Sequence, residues 1–235
     1  MTFGSLFAGI GGIDKGLEDA GMTCAWQVEI NDYCSRVLAA HWPGVLRLRD
    51  IHDAGSHNLP RVNLICVGLP CQDVSQAGKR AGIGGTRSGL WRQAVRVVRE
   101  LCPRYVLVEN VPGLLARGMG DVLGDLASLG YDAEWSVLSA CAMGAPHTRE
   151  RVFIVAYPNG ELGQAGLGAF ADRAAAHQSV GDRTVPGQWV EPFSGFCGMA
   201  DGVPRNVDAL TALGNAAVPA VVEAIGRMIL EVEVT

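Results

Sequence analysis

Short apolar runs alternate with stretches of helical periodicity over the first two-thirds of the chain. Residues 63–67 and 105–108 form nearly continuous apolar runs, the pattern of strands that are covered on both faces. Between them, residues 90–101 repeat apolar side chains at helical spacing. The pattern predicts further strands at residues 1–8, 23–30, 134–139 and 151–157, and further helices after residue 12, at 32–41, 123–129 and 218–232. This alternation is typical of an α/β domain with a mainly parallel sheet and helices on both faces.

The pattern breaks down between residues 158 and 190, which are rich in Gly and Ala and carry little periodicity. A segment this short cannot readily build a core of its own, so we interpret it as an irregular insertion or the remnant of a second lobe. We therefore divide the chain into a core at residues 1–157, the short segment at 158–190, and a C-terminal segment at 191–235 that returns to the core.

The composition narrows the class of protein. With 49% hydrophobic residues among 235, the chain can bury a core, which excludes general disorder. No apolar run reaches 18 residues and the first residues lack a basic start, so we predict neither a membrane span nor a signal peptide. The seven cysteines are odd in number and show neither C-x-x-C pairs nor zinc spacing. We therefore expect reduced thiols in a cytoplasm and no metal site.

The net charge of -5 argues against an indiscriminate nucleic-acid binder, because such proteins carry a basic surface. The distribution of charge changes this picture, since seven basic residues and one acid, Glu100, lie between Lys79 and Arg104. Such a patch can steer a polyanion even on an acidic protein. For the last four of the basic residues, a solvated helix face is an equally good interpretation.

The first strand–helix turn has the features of a cofactor site. Gly9, Gly11 and Gly12 allow a ligand to approach the backbone closely. Glu29 follows Gly9 by 20 residues, at the end of the second strand, where a carboxylate can accept both ribose hydroxyls. In a doubly wound sheet, ligands bind at the carboxyl ends of the strands. Together these features predict a cofactor that contains a nucleoside.

The type of cofactor depends on two carboxylates. A dinucleotide pattern needs glycine at position 14, where this chain has Asp14, and an acid at a helix N-terminus repels pyrophosphate. S-adenosylmethionine has ribose and adenine but no phosphate, so it fits better. Asp50 follows a third short strand and either accepts the adenine amino group or caps a turn before Ile51.

Two reactive side chains follow the two buried strands. Cys71 lies in a polar loop directly after residues 63–67, where nearby amides or arginines can ionise a thiol. Glu109 ends the strand that starts at residue 105, and burial at that edge would raise its pKa and let it donate a proton. The alternatives are an inert buried cysteine, and an ion pair between Glu109 and Arg104 or another surface arginine. A nucleophile beside an acid suggests addition to an electron-poor ring.

These residues resemble the DNA (cytosine-5) methyltransferases, and the resemblance covers nearly the whole chain in the order of the family's motifs. The matching segments are Phe3-Gly4-Ser5-Leu6-Phe7-Ala8-Gly9-Ile10-Gly11-Gly12, Pro70-Cys71-Gln72 with Ser75, Gly78-Lys79-Arg80, Arg87-Ser88-Gly89-Leu90, Glu109-Asn110-Val111, Arg149-Glu150-Arg151-Val152-Phe153, and Gly214-Asn215-Ala216 with Val218-Pro219. Each fragment alone is modest, but their common order is specific. The resemblance implies a Rossmann-like fold that binds S-adenosylmethionine.

The resemblance also implies a reaction and four catalytic residues. The target cytosine leaves the duplex, Cys71 adds to C6, and Glu109 contacts N3 and the amino group and protonates the ring. C5 then takes the methyl group, after which the C5 proton is lost and Cys71 is eliminated. By the same resemblance, Arg151 holds the base carbonyl, and Arg149 holds a phosphate or the catalytic loop.

The family's pattern assigns binding roles to further positions. Phe7 would contact adenine, Glu29 ribose and Asp50 the adenine amine, with residues 215–216 at the methionine end. The residues that the resemblance places at the cofactor are Phe7, Ala8, Gly9, Ile10, Gly11, Gly12, Glu29, Ile30, Asp50, Ile51, Pro70, Leu90, Asn215 and Ala216. Those that it places at nucleic acid are Gln72, Ser75, Lys79, Arg80 and Arg87.

Three features depart from the family's pattern. His147 stands where many members have Gln, and Thr86-Arg87-Ser88-Gly89 differs from the usual Asp-x-Arg-Gly. The target-recognition region, at residues 158–190, is far shorter than usual. Recognition is therefore minimal, or the catalytic loop and a partner protein supply it, or the chain is a reduced form with weak activity.

Four readings of the function remain at this point. The first is a monomeric cytoplasmic enzyme, of a bacterium or a phage-infected host cell, that methylates double-stranded DNA as in restriction-modification systems. The others are the same chemistry on RNA, a non-catalytic module that binds S-adenosylmethionine or nucleic acid, and a nicotinamide oxidoreductase. Asp14 and the Cys71 loop disfavour the oxidoreductase.

Overall fold

The computed structural model describes residues 1–70, 88–145, 147–160 and 211–233. Seven strands form one sheet in these residues. The strands are β1 (Thr2–Leu6), β2 (Thr23–Val28), β3 (Leu46–Leu48), β4 (Leu64–Gly68), β5 (Tyr105–Asn110), β6 (Tyr131–Ser139) and β7 (Glu150–Pro158). The helices are α1 (Gly12–Asp19), α2 (Asp32–His41), α3 (Ser88–Leu101), α4 (Met119–Ser128) and α5 (Pro219–Glu233).

The strand order is β3-β2-β1-β4-β5-β7-β6. Strand β7 runs antiparallel to β5 and β6, while the remaining neighbours pair in parallel. The order reverses between β1 and β4, where a crevice opens at the carboxyl ends of the strands. The mainly parallel α/β fold predicted from the alternation of elements is confirmed.

Apolar side chains fill both faces of the sheet, as the continuous runs in β4 and β5 require. On one face, Val98 of α3 and Leu126 of α4 pack against the even-numbered residues of β5. On the other face, Leu17 of α1, Leu38 of α2 and Ile225 of α5 pack against its odd-numbered residues. Helices on both faces therefore bury the sheet.

Helix α5 returns the C-terminal part of the chain to the first helix. Gly16 of α1 packs so closely against it that a Cβ there would lie 2.5 Å from the carbonyl oxygen of Pro219 and 2.6 Å from Cβ of Val222. At its end, Glu233 pairs with Nε of Arg104 at 2.6 Å and accepts from the Tyr105 hydroxyl at 2.8 Å. Helix α5 thus packs against the first helix and the start of β5.

The helical stretch Thr211–Glu233 is long and apolar enough to cross a membrane, judged by length and composition alone. In this structure one face of the stretch, which includes Val222, Ile225 and Ile229, is buried against the core. Packing against the core therefore accounts for the apolar residues of that face. The predicted recognition segment at residues 158–190 lies outside the described residues from position 161 onward.

Candidate active site and cofactor cavity

A cavity of about 490 Å³ opens at the carboxyl ends of β1, β2, β4 and β5. Its size is that of a small-molecule site, and its position is the switch point of the sheet. All but two of the residues predicted for the cofactor line it, namely Phe7, Ala8, Gly9, Gly12, Glu29, Ile30, Asp50, Ile51, Pro70, Leu90, Asn215 and Ala216. The structure thus brings the first turn, the ends of β2 and β4, and the C-terminal segment to one place.

Glu29 is fixed by two backbone amides. Gly9 N–H donates to Oε2 at 2.8 Å, and Asn31 N–H donates to Oε1 at 2.7 Å. Gly9 adopts a φ of 58°, which glycine tolerates without strain. A carboxylate has about four acceptor positions, so two remain for hydroxyl groups of a ligand in the cavity. This donor set fits the ribose of S-adenosylmethionine.

Gly11 and Ile10 do not line the cavity, in contrast to the role that the resemblance gave them. Gly11 has a φ of 84°, and a Cβ there would lie 2.4 Å from the ring of Trp42. The glycine is therefore required by backbone conformation and by packing on Trp42. Gly12 packs closely against the segment before α5, because a Cβ at this position would lie 2.4 Å from the carbonyl oxygen of Ala217.

The argument that Asp14 would repel a pyrophosphate group does not hold in the structure. Its side chain is fully buried beneath the turn, where it accepts from Gln27 Nε2 at 2.8 Å and from Ser5 Oγ at 3.1 Å. Burial raises its pKa to about 6, although these hydrogen bonds oppose the rise. The carboxylate therefore links α1 to β1 and β2, and it supplies no argument about phosphate.

Asp50 has both features that the sequence left open. Its Oδ1 accepts from the backbone N–H of His52 at 2.9 Å and lies 2.7 Å from Nδ1 of the same residue. These contacts, the backbone hydrogen bond first, hold the pKa of Asp50 below its usual range. The carboxylate thus caps the turn, and it also lines the cavity where an amino group could donate to it.

Helix α3 holds the loop that carries these residues. Arg96 donates to the carbonyl oxygens of Ile51 at 2.9 Å and Ala54 at 2.8 Å. It also pairs with Glu100, whose other oxygen accepts from the backbone of Ser56 at 3.0 Å. At least one basic residue of α3 therefore binds other parts of the protein, and it is neither a simple solvated side chain nor free to contact a polyanion.

Glu109 lies at the end of β5 and is 4% exposed. Arg151 projects from the same face of the neighbouring strand β7, and its Nε lies 2.9 Å from Oε1 of Glu109. Burial raises the pKa of Glu109 to about 7, and the charges of Arg151 and Arg149 oppose that rise. The alternative of an ion pair with an arginine is therefore present, but the partner is Arg151, while Arg104 pairs with Glu233. A nearly buried acid that titrates near neutral pH can donate a proton to a bound base.

Arg149 makes a contact that nothing in the sequence signalled. Its Nη1 donates to the carbonyl oxygen of Gly214 at 2.8 Å, and its Nη2 donates to that of Ala216 at 2.5 Å. Both acceptors belong to the segment that closes the cavity. Its predicted contact with a phosphate or the catalytic loop stays a prediction.

The predicted nucleophile lies outside the described residues. The same holds for the predicted nucleic-acid contacts; the residues concerned are Cys71, Gln72, Ser75, Lys79, Arg80 and Arg87. The preceding residues, Leu69 and Pro70, line the cavity. Further lining residues were missed because they flank the motifs and carry no signal of their own, such as Asn31, Cys34 and Thr211.

The fold and the cavity define an α/β domain whose site has a suitable size and donor set for a nucleoside-containing cofactor beside a buried acid. The chain belongs to the C-5 cytosine-specific DNA methylase family, whose family model matches residues 1–183.

Two relatives and one solved structure illustrate the match. The chain is 37% identical over 164 residues to the Type II methyltransferase M2.BsuMI of Bacillus subtilis. The matched region covers 66% of this chain and 42% of the relative. It is 31% identical to M.HhaI of Haemophilus parahaemolyticus, covering 68% of this chain and 50% of the relative. The chain therefore spans about half the length of these relatives. The crystal structure of the S. pombe Dnmt2 methyltransferase matches with a TM-score of 0.61 at 20% identity, covering 78% and 57% of the two chains, which supports the fold.

Proposed function

We propose that this chain transfers a methyl group from S-adenosylmethionine to C5 of cytosine in double-stranded DNA. The observation that carries the proposal is that two carboxyl groups with different surroundings line the same cavity. Glu109, beside Arg151, has a pKa of about 7, whereas Glu29 is fixed by backbone amides and can accept hydrogen bonds from hydroxyl groups. Membership of the cytosine-specific family supplies the substrate base.

The cavity offers a complementary surface to each part of the cofactor. Glu29 accepts the ribose hydroxyls, and Asp50 accepts the adenine amino group. Phe7, Ile30 and Ile51 provide apolar contacts for the adenine ring. S-adenosylmethionine, when bound, supplies a methyl group on a sulfonium centre, where a carbon nucleophile can take it.

The chain's own residues then perform addition and elimination on a cytosine that has left the duplex. The Cys71 thiolate forms a bond to C6, while Glu109 gives its proton to N3, so that C5 becomes nucleophilic. Arg151 donates to the base carbonyl. After methylation, loss of the C5 proton restores the C5–C6 double bond as the thiolate leaves, and N3 returns its proton to Glu109.

Recognition of DNA is the second part of the proposal. By the resemblance to the family, the target-recognition region falls at residues 158–190, and this segment is short. We therefore include a partner protein that supplies sequence recognition, with this chain as a monomer in the cytoplasm.

The first experiment measures transfer of labelled methyl groups to unmethylated duplex DNA by the parent, Cys71→Ser and Glu109→Gln. We expect label in C5 of cytosine with the parent, and a rate lowered by about 100-fold or more in each variant, which is the usual range for a lost acid or nucleophile. Binding of S-adenosylhomocysteine by each variant, measured by calorimetry, is the control for folding.

Two outcomes would overturn the proposal in different ways. Label that survives DNase but disappears with RNase would assign the same chemistry to RNA. Binding of S-adenosylhomocysteine without any labelled product, even with a partner fraction from the source cell, would leave a non-catalytic binding module.

A further inference from the structure

We propose that Arg149 is a positioning residue that holds the C-terminal wall of the cofactor cavity, so that cofactor affinity depends on its two hydrogen bonds. The C-terminal wall is defined here as residues 211–217, of which Thr211, Ala212, Asn215, Ala216 and Ala217 line the cavity. The inference rests on the proposed function, because it concerns the affinity for S-adenosylmethionine.

The contact joins parts of the chain that are far apart in sequence. Arg149 lies directly before β7, whereas its acceptors, Gly214 and Ala216, precede α5. The two acceptors flank Asn215, a residue predicted to contact the methionine end of the cofactor. A guanidinium presents parallel donors in a rigid fork, so it fixes two carbonyl groups at once. The wall beside the cofactor is therefore held from the strand that also carries Arg151.

The opposite side of the wall packs on the first turn. The carbonyl oxygen of Ala217 lies only 2.4 Å from the position that a Cβ on Gly12 would take. Within the wall, the backbone N–H of Ala216 donates to the carbonyl oxygen of Ala212 at 3.0 Å. The wall thus lies between the Gly12 turn and the Arg149 fork. Loss of the fork removes one of these two supports and leaves two carbonyl groups beside the cavity without those donors.

The same guanidinium also acts on the catalytic acid. Two charged groups lower the pKa of Glu109, first Arg151 in its ion pair and then Arg149. Arg149 therefore has two separable effects, one that needs the fork and one that needs only positive charge. Lysine keeps the charge but presents a single ammonium group, whereas methionine keeps the stem and loses both.

The experiment compares Arg149→Lys and Arg149→Met with the parent. Calorimetry measures the Kd for S-adenosylhomocysteine, and hydrogen exchange measures the Ala216 amide without any ligand. Both variants should raise the Kd by about 10-fold or more and should speed exchange in the wall. Arg227→Ala is the matched control, because Arg227 also donates to a backbone carbonyl, that of Asp19 at 3.3 Å, on the surface away from the cavity. It should leave both quantities unchanged.

The pH profile separates the two effects. Methyl transfer needs protonated Glu109, so the rate falls as pH rises through its pKa. Arg149→Met removes a positive charge and should move this fall to higher pH, whereas Arg149→Lys should leave it in place. A general loss of structure would not produce this difference between the two variants.

Two results would overturn the inference. Parent-like Kd and parent-like exchange in both variants would overturn it, while slower kcat with unchanged Kd would assign Arg149 to chemistry alone and also overturn it. If the parent itself binds no S-adenosylhomocysteine, the proposed function fails, and ligand-free exchange at Ala216 still tests the contact. If Arg149→Met does not fold, Arg149→Lys alone decides the effect on Kd.

Discussion

Asp14 and Glu109 are both buried carboxyl groups with raised pKa values, but their surroundings give them different roles. Glu109 is beside the guanidinium of Arg151 and opens onto the cavity, where a substrate can take its proton. Asp14 receives hydrogen bonds from Ser5 and Gln27, and Arg47 donates in turn to Gln27 at 2.8 Å. Enclosed by protein donors, Asp14 stabilises the turn and has no route to a substrate.

A first prediction concerns the pH dependence of stability at Asp14. Its folded pKa is about 6 against 3.8 for an unperturbed aspartate, so its favourable contribution is fully present below pH 3.8 and is lost as pH rises through 6. Relative to Asp14→Asn, the parent's free energy of unfolding should therefore fall by about 2 to 3 kcal/mol between pH 3.5 and pH 7.5. Urea unfolding over this range measures the difference.

The control for Asp14 is a carboxylate with the opposite shift. The pKa of Asp50 is held below its usual range, chiefly by the backbone of His52. Asp50→Asn should therefore cost the most stability at neutral pH and the least in acid. Parallel stability curves for Asp14→Asn and the parent would show that Asp14 ionises as it does in the unfolded chain.

Two glycines within helices test how α1 meets α5. Gly16 of α1 packs against Pro219 and Val222, whereas Gly124 of α4 has nothing within 4 Å of the Cβ position. Gly16→Ala should destabilise the protein by about 1 to 3 kcal/mol, as overpacking does. Gly124→Ala should stabilise it by about 0.5 to 1 kcal/mol, because alanine favours helix. Thermal unfolding of both variants checks the opposite signs.

Equal effects of the two substitutions would contradict the close approach of α1 and α5. The same sign in both would mean that helix propensity alone decides, and that the C-terminal helix lies further from the first than the structure places it.

At the scale of elements, periodicity predicted most strands and helices but not the way in which the strands pair. The runs at residues 63–67 and 105–108 correspond to β4 and β5, because burial on both faces leaves a signal in the sequence itself. The antiparallel insertion of β7 between β5 and β6 left no such signal, since pairing partners are not encoded in the periodicity of one strand. The resemblance to a family located the lining of the cavity.

The site was less predictable where it depends on the orientation of a side chain or on contacts between residues far apart in sequence. The spacing of Asp14 placed it at the helix start, but spacing does not tell which way the side chain turns, and it turns into the core. The contact of Arg149 with Gly214 and Ala216 joins positions 65 and 67 residues apart, and no local pattern marks either partner. Such contacts exist only once the fold has brought the segments together.

At the scale of the whole molecule, the cavity is built from both ends of the described chain. The first turn supplies Gly9 and Gly12, and residues 211–217 supply the opposite wall. The site therefore exists only when α5 has docked on the sheet and when β1, β2 and β4 are paired. A ligand that binds here must stabilise the complete fold and not one part of it.

The last prediction follows from this linkage. S-adenosylhomocysteine at about 100 times its Kd should stabilise the parent by about 2.7 kcal/mol, which raises the Tm by about 5 to 10 °C for a domain of this size. Glu29→Gln replaces one carboxylate oxygen by an amide that faces the donors Gly9 N–H or Asn31 N–H, so the shift should fall to half or less. Asp121→Asn, on the exposed start of α4, should keep the full shift.

A thermal shift with NAD and none with S-adenosylhomocysteine would favour the alternative of a nicotinamide cofactor in this cavity. The reverse result, obtained without DNA or partner, would show that cofactor binding resides wholly in this chain. We expect the reverse result because both ends of the described chain line the cavity, and the amides of Gly9 and Asn31 hold Glu29 there. Cofactor binding should then be independent of DNA recognition, and only methyl transfer should respond to a partner.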